Sequence, residues 1–245
     1  MRIVIAVLVG LMLAASAPAQ AQKAFEKDVI KTKGGDLEIT FIGHGTLMLR
    51  YQGRVIHVDP WSRAADYSTM PKADLILVTH QHGDHLDTGA VAALRTKETV
   101  VVLTKASAAA VKAPVVMQNG DRRELAGVTV TAVPAYNIAH KRENGEPFHP
   151  KGEGNGYVIA FGEVRLYVAG DTENTPEMKE LKDIDVAFLP MNLPYTMTPE
   201  MVADAAKSFR PRILYPYHTG STDVAKLVEL LKDLPAVEVR LRAMK

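Results

Sequence analysis

The run ADLILVT, Ala73 to Thr79, limits what this chain can fold into more than any other segment. Its apolar residues follow one another without alternation, the pattern of a strand buried on both faces. Such a strand needs a packed layer on each side. Leu37 to Asp59 differs: apolar and polar residues partly alternate, as in half-buried antiparallel strands, and Gln52-Gly53 supplies a turn. Thr88–Thr96 reads as a helix, Thr99–Leu103 as a second buried strand, and Ala106–Val111 as a short helix. Val115–Pro134 carries two or three short strands around Gly120 and Gly127. Tyr136–Gly156 is polar and rich in Asn, Gly and Pro, and so long a loop inside a domain is usually functional. The pattern then restarts. Tyr157–Phe161 and Val164–Ala169 pair around Gly162. Helices follow at Thr175–Leu181, Thr198–Phe209 and Ser221–Lys232, and strands at Val186–Pro190, Ile213–Tyr217 and Val237–Leu241. Thr175 and Thr198 serve as caps, each with proline at the first helical position. Two halves, each strand-rich and then alternating strand with helix, predict sheets packed together with helices outside, an α/β layered sandwich.

The N-terminus reads separately. Met1-Arg2, the apolar run Ile3–Ala17 and the small-x-small triplet Ala19-Gln20-Ala21 have the layout of a secretory signal, with cleavage after about Ala21. The expected organisation is therefore a leader at 1–21 and one domain at 22–245, in a periplasmic or secreted protein. An uncleaved anchor is the alternative, although the run is shorter than the ~20 residues of a bilayer span. The chain has no cysteine, which removes disulfides and thiolate ligands. A formal net charge of +1, with no basic stripe, argues against nucleic acid as a partner. The expected partner is a small-molecule substrate, with no membrane contact after leader cleavage and the oligomeric state open.

The buried run ends at THQHGDH. Three of the chain's eight histidines and an aspartate fall between His80 and His85. His80 and His82 lie two apart and point to one side of an extended segment. Asp84 and His85 follow Gly83, where a chain can turn sharply. Neutral imidazole together with carboxylate suits zinc and related divalent metals.

This motif resembles the signature of the metallo-β-lactamase superfamily, and the resemblance runs from Leu37 to Lys245. The sequences FIGHGT, HVDP and GDT are similar to a lactonase-like branch of it, which includes ascorbate-phosphate lactonase-like proteins. The resemblance implies a four-layered αββα sandwich with two divalent ions at one edge, zinc first, manganese or iron as alternatives. It implies His80 and His82 on the first metal and Asp84 and His85 on the second. Asp171, in GDT, corresponds to the aspartate that holds both metals, and His218, in PYHTG, to the last histidine of the second.

One position departs from the family pattern. A histidine is expected near residue 136, where this chain has Tyr136 and Asn137. His149 is the favoured replacement, with Asn137 or water as rivals, while His140, followed by Lys141 and Arg142, reads as solvated surface. His44, in FIGHGT, is a candidate to orient a ligand or touch substrate, with a satisfied core histidine as the alternative. Asp59 can accept a hydrogen bond from a ligating imidazole. His57 reads as packing or surface. Trp61 and Tyr195 are candidate walls of the site, with packing and an ordinary loop aromatic as the plainer readings. Lys141, Arg142 and Lys151 are candidates to meet an anionic substrate, against a solvated loop.

The expected chemistry is hydrolysis of an ester, lactone or phosphoester by water made acidic on metal, with Asp84, Asp171 and His44 acting at the reacting centre. No GxSxG and no cysteine offers another nucleophile. A secreted β-lactamase and a metal-binding module without catalysis are the alternatives.

Overall fold

The computed structural model describes residues 24–245. The leader expected at 1–21 lies outside the described residues.

Each half of the chain builds one seven-stranded sheet, and the two sheets share a plan. In the first, β1 (Glu26–Thr32), β2 (Gly35–Gly43), β3 (Thr46–Tyr51) and β4 (Arg54–Val58) are antiparallel neighbours. β5 (Leu75–Leu77), β6 (Val100–Leu103) and β7 (Val115–Val116) continue from β4 in parallel. The second sheet repeats this plan. β8 (Arg122–Leu125), β9 (Val128–Ala135), β10 (Gly154–Phe161) and β11 (Val164–Val168) are antiparallel. β12 (Val186–Pro190), β13 (Ile213–Tyr217) and β14 (Glu238–Val239) follow in parallel.

Between the sheets lies a core that draws Leu37, Ile39, Leu47, Leu49, Leu75 and Leu77 from one and Tyr157, Ile159, Phe161, Phe188 and Tyr215 from the other. A second cluster seats α2 (Pro176–Lys179), α3 (Pro199–Phe209) and α4 (Val224–Leu231) on the outside of the second sheet. A third seats α1 (Thr88–Leu94) and the segment around Tyr67 and Met70 on the outside of the first. The expected α/β sandwich in four layers is the architecture observed.

The helix boundaries follow their caps. Thr175 and Thr198 accept hydrogen bonds from Met178 and Met201 N–H at 3.2 Å each, with proline following. α4 starts later than expected, because Asp223 and not Ser221 caps it, accepting from Ala225 N–H at 2.9 Å. Between 106 and 111 there is only a single 3₁₀ turn, Ala108–Ala110. β1 was not expected. Its sequence, EKDVIKT, has only a half-buried face of Asp28, Ile30 and Thr32, and it is held by its ladder to β2, by Ile30 packed on the core and by ion pairs such as Asp28–Arg242 at 2.6 Å.

His57 faces the outer layer and is fully buried beside Tyr67, with Nε2 3.3 Å from the Pro71 carbonyl. It is packing, as one of its two readings held. Burial pushes its pKa down to about 4. The folded protein therefore holds His57 neutral, while the unfolded chain takes up a proton near pH 6.5. Stability should fall as pH drops from about 6.5 to about 4 and then level off, a loss of about 3 kcal/mol from this group. Urea titrations of wild type and His57→Leu across that window should show the wild type losing more stability by that amount.

Candidate metal centre

The parallel strands of both sheets end at one edge of the sandwich. Asp59 follows β4, His80 follows β5 by three residues, Asp171 follows β11, and His218 follows β13. In α/β sheets, ligands bind beyond the carboxyl ends of the strands. Here two such ends face each other, one from each half.

Asp59 organises the first half of the site. It is fully buried, and its carboxylate accepts Thr79 N–H at 2.7 Å, Thr79 Oγ1–H at 2.6 Å and His85 Nδ1–H at 2.8 Å. Since Thr79 Oγ1 donates to Asp59, it accepts from His80 Nδ1–H, 3.0 Å away. Both imidazoles are thereby fixed with Nε2 lone pairs turned outward, the arrangement that orients a ligating histidine. A helical turn, with His85 and Leu86 N–H on the His82 carbonyl at 3.0 and 2.8 Å, folds the motif back on itself. Nδ1 of His82 then comes within 3.1 Å of His80 Nε2.

The second half is built by a different network. His149 Nδ1–H donates to Asn137 Oδ1 at 2.7 Å, and His149 N–H donates to the same oxygen at 2.9 Å. The Asn137 amide donates in turn to Glu173 Oε1 at 3.1 Å and to the Tyr195 carbonyl at 2.9 Å. Asn137 thus spends its polar atoms on positioning and has none for a metal. His149 instead directs Nε2 into the cluster, 3.4 Å from Asp171 Oδ2. His218 Nδ1 meets the Asn192 amide at 3.3 Å, and its Nε2 lies 3.6 Å from Asp171 Oδ2.

The seven residues expected to hold metal converge. His80, His82 and His149 bring ligand atoms within 4.8 Å of one another, as do His80, His85 and Asp171, and as do His44, Asp84, His85 and His218. Asp171 is central, with Oδ1 3.4 Å from His85 Nε2. Two donors about 2.0–2.1 Å from one ion at tetrahedral angles stand ~3.3 Å apart. The His149–Asp171 and His85–Asp171 separations of 3.4 Å, and His218–Asp84 at 3.5 Å, approach that edge length. Four buried atoms here, His85 Nε2, His149 Nε2, His218 Nε2 and Asp171 Oδ1, have no hydrogen-bond partner. Unpaired buried polar atoms are costly, and divalent cations held in these overlapping clusters would satisfy them. The donor set fits such an ion.

The electrostatics point the same way. Burial opposes ionisation of Asp171, but the His218 and His85 imidazoles outweigh it and hold the carboxyl well below the usual range. Burial likewise opposes a charge on Asp84, and His218 and His44 beside it bring its pKa far down. Burial, then His85, pushes the His80 pKa well below that of free imidazole. Ionised carboxylates beside a neutral imidazole form the protonation pattern that metal binding requires. His85 differs. Burial disfavours its charge, but Asp171 and Asp59 overcome this and raise its pKa.

His44 does not face the cluster alone. Its Nε2 lies 3.0 Å from Asp84 Oδ2, and its ring lies tilted between Trp61 at 4.8 Å and His218 at 3.7 Å, so Trp61 packs behind His44 and does not line the cavity. His44, Asp59 and His218 all have positive φ, at 54°, 45° and 48°. Strained backbone of this kind gathers at functional sites. His140 is not solvated surface. Its N–H donates to Glu173 Oε1 at 2.7 Å, and its Nδ1 lies 2.9 Å from the same oxygen. Glu173, buried, also accepts from Ile138 and Ala139 N–H, which hold its carboxyl below the usual range against the opposing effect of burial. Glu173 and Asn192 were not singled out from sequence. The nearest signal for Glu173 was its place directly after GDT. Lys151 pairs with Glu177 at 2.8 Å and does not face the site.

The class is defined by this fold and this edge together: a metal-dependent hydrolase on the metallo-β-lactamase sandwich. Residues 38–218 match the beta-lactamase superfamily domain, and the chain belongs to that family. It is similar to a metal-dependent hydrolase from Methanopyrus kandleri, 33% identical over 196 residues that cover 76% of this chain and 85% of the relative. It is also similar to the crystal structure of a proposed metal-dependent hydrolase from Parabacteroides distasonis. That match is 48% identical, with a TM-score of 0.86, and covers 90% of this chain and all of the other. CmlA, a diiron β-hydroxylase from Streptomyces venezuelae, shares the fold at 16% identity and TM-score 0.65, over 86% of this chain and 54% of its own.

Glycine has a different role at two places in the motifs. Gly83 has no positive φ and open space where a Cβ would stand, so the turn does not need it, contrary to expectation. Gly170 has φ +67°, and a Cβ there would sit 3.0 Å from the Asn155 carbonyl oxygen and from Thr79 Cβ. Gly170→Ala should destabilise by roughly 1–3 kcal/mol, while Gly83→Ala should stay within about 0.5 kcal/mol of wild type, both read from denaturant midpoints.

Proposed function

We propose that the chain hydrolyses an ester, lactone or phosphoester with two divalent ions at this edge. His80, His82 and His149 hold one, Asp84, His85 and His218 the other, and Asp171 lies between. The observation that carries this reading is that three unpaired buried imidazole nitrogens, of His85, His149 and His218, gather around the Asp171 carboxylate, two of them at separations close to a tetrahedral edge. Bound there, divalent metal lowers the pKa of water toward ~7 and polarises the bond under attack.

The chain's own groups do the rest. Asp59, through His85 directly and His80 by way of Thr79, keeps both imidazoles in one tautomer. Asn137 does the same for His149. Asp84 and Asp171, both held ionised, orient the attacking water, and its one proton passes along the Asp84–His44 hydrogen bond to His44. His44 Nε2, hydrogen-bonded to Asp84, shares a cavity of ≈ 420 Å³ with both aspartates, within reach of a bound substrate. It is suited to pass a proton to the departing oxygen. The chemistry of the donors, nitrogen and carboxylate without sulfur, favours zinc, with manganese or iron next.

Elemental analysis of the purified protein should find two equivalents of metal per chain. His80→Ala and Asp171→Ala should each lose metal and lower hydrolysis of a lactone, phosphodiester and β-lactam panel by 100-fold or more, about 3 kcal/mol. His149→Ala should retain close to one equivalent. Full metal content in His80→Ala and Asp171→Ala would refute the assignment.

A further inference from the structure

The cavity over the metal centre opens between two loops, and its mouth has a composition of its own. Arg142, Phe148 and Tyr195 line both that cavity and the adjoining shallow depression outside it. Phe148 and Tyr195 meet edge to face at 5.1 Å, and Tyr195 is 46% exposed. Leu193 and Ile138, on the same two loops, are also exposed, at 43% and 50%. Thus three of the six exposed large hydrophobic side chains among the described residues belong to these loops. Isolated exposed apolar groups such as Ile138 and Leu193 need no explanation, but a paired set of aromatics at the rim of a cavity does.

Arg142 is the charged member of this rim. Its guanidinium lies over the Phe148 ring at 5.1 Å and donates to the Phe148 carbonyl at 3.3 Å. No carboxylate lies within ion-pair distance of it among the described residues. Of the other two cations considered from sequence for this role, Lys151 is occupied by Glu177, and Lys141 lines the outer depression but not the cavity. The loop is also not loose. Arg142 N–H and the Glu146 carbonyl close its tip at 2.7 Å, and its base is fixed by Asn137 N–H on the His149 carbonyl at 2.9 Å. The same base positions His149, so the rim and the metal centre are set by one piece of chain.

We propose that this rim is a substrate subsite, which selects a molecule bearing an anionic group, carboxylate or phosphate, beside an aromatic or extended apolar group. Arg142 takes the anion, and the Phe148–Tyr195 ledge takes the apolar part while the reacting bond lies below, at the aspartates. With one N–H on the Phe148 carbonyl, the guanidinium over the ring still has further N–H donors for a carboxylate or phosphate. The inference rests on the hydrolase reading for the direction in which a substrate enters, and it names the substrate class which that reading left open.

The test needs no turnover. Phenylbutyrate, its neutral amide and butyrate are titrated calorimetrically into the purified full chain. Phenylbutyrate should bind about tenfold more tightly than either, some 1.4 kcal/mol for the charge and as much for the ring. Arg142→Gln, at an exposed position, should remove the preference for acid over amide and keep that for the ring. Tyr195→Ala should do the reverse. Arg122→Gln, on a distant strand, should change neither. If Arg142→Gln keeps the acid preference, the carboxylate is held elsewhere, at the metals included, and the inference falls. Equal binding of all three probes to wild type also overturns it. If the chain turns out to hold no metal and to hydrolyse nothing, yet the two variants split the preferences as stated, the hydrolase reading fails and the subsite stands.

Discussion

A single carboxylate with no solvent exposure, Asp59, sets the geometry on which the rest of the site depends. Burying a charge costs several kcal/mol unless donors surround it. Asp59 meets that cost with three, from Thr79 N–H, Thr79 Oγ1 and His85 Nδ1. Each of those bonds also has a second effect. The two from Thr79 join the end of β4 to the end of β5, and the threonine oxygen passes the orientation on to His80. The strand order places Asp59, the ladder brings Thr79 to it, and the histidines inherit their direction from both.

The second sheet reaches the same result with loop-borne groups, an amide backed by a carboxylate. Asn137 fixes His149, and Glu173 fixes Asn137 together with the backbone of residues 138–140. Here the donor comes from twelve residues further along the loop, and a buried glutamate supplies the rigidity. The sheets are tied to each other at this edge as well. Tyr157 OH donates to the Val78 carbonyl at 2.8 Å, and Asn155 N–H donates to the Thr79 carbonyl at 2.9 Å.

Much of this was legible because the residues concerned carry strong periodic or chemical signals. ADLILVT could only be an inner strand, and Thr-Pro pairs could only be helix starts. THQHGDH concentrated donors too densely for chance. What escaped had no such signal. β1 has polar residues on both faces and depends on its neighbour for definition. Glu173 looks like any turn glutamate, and its role appears only when three consecutive backbone N–H groups arrive from another loop. Gly83 misled because glycine in a tight motif suggests an unusual φ, whereas the turn there is an ordinary helical one. His140 was read from its basic neighbours, although the partner that decides its environment is thirty-three residues away.

The shared plan of the two sheets has a mechanical consequence. His80, His82, Asp84 and His85 come from the first half of the chain, and His149, Asp171 and His218 from the second. The clusters of ligand-type side chains with His149, with His218 and with Asp171 each draw on both halves. An ion in this position would act as a rivet through the seam between two otherwise self-contained sheets, drawing together ends that only packing and a few hydrogen bonds hold elsewhere. Metal occupancy would then be a term in the cohesion of the whole sandwich, and the catalytic centre would also be the place where its two halves are fastened.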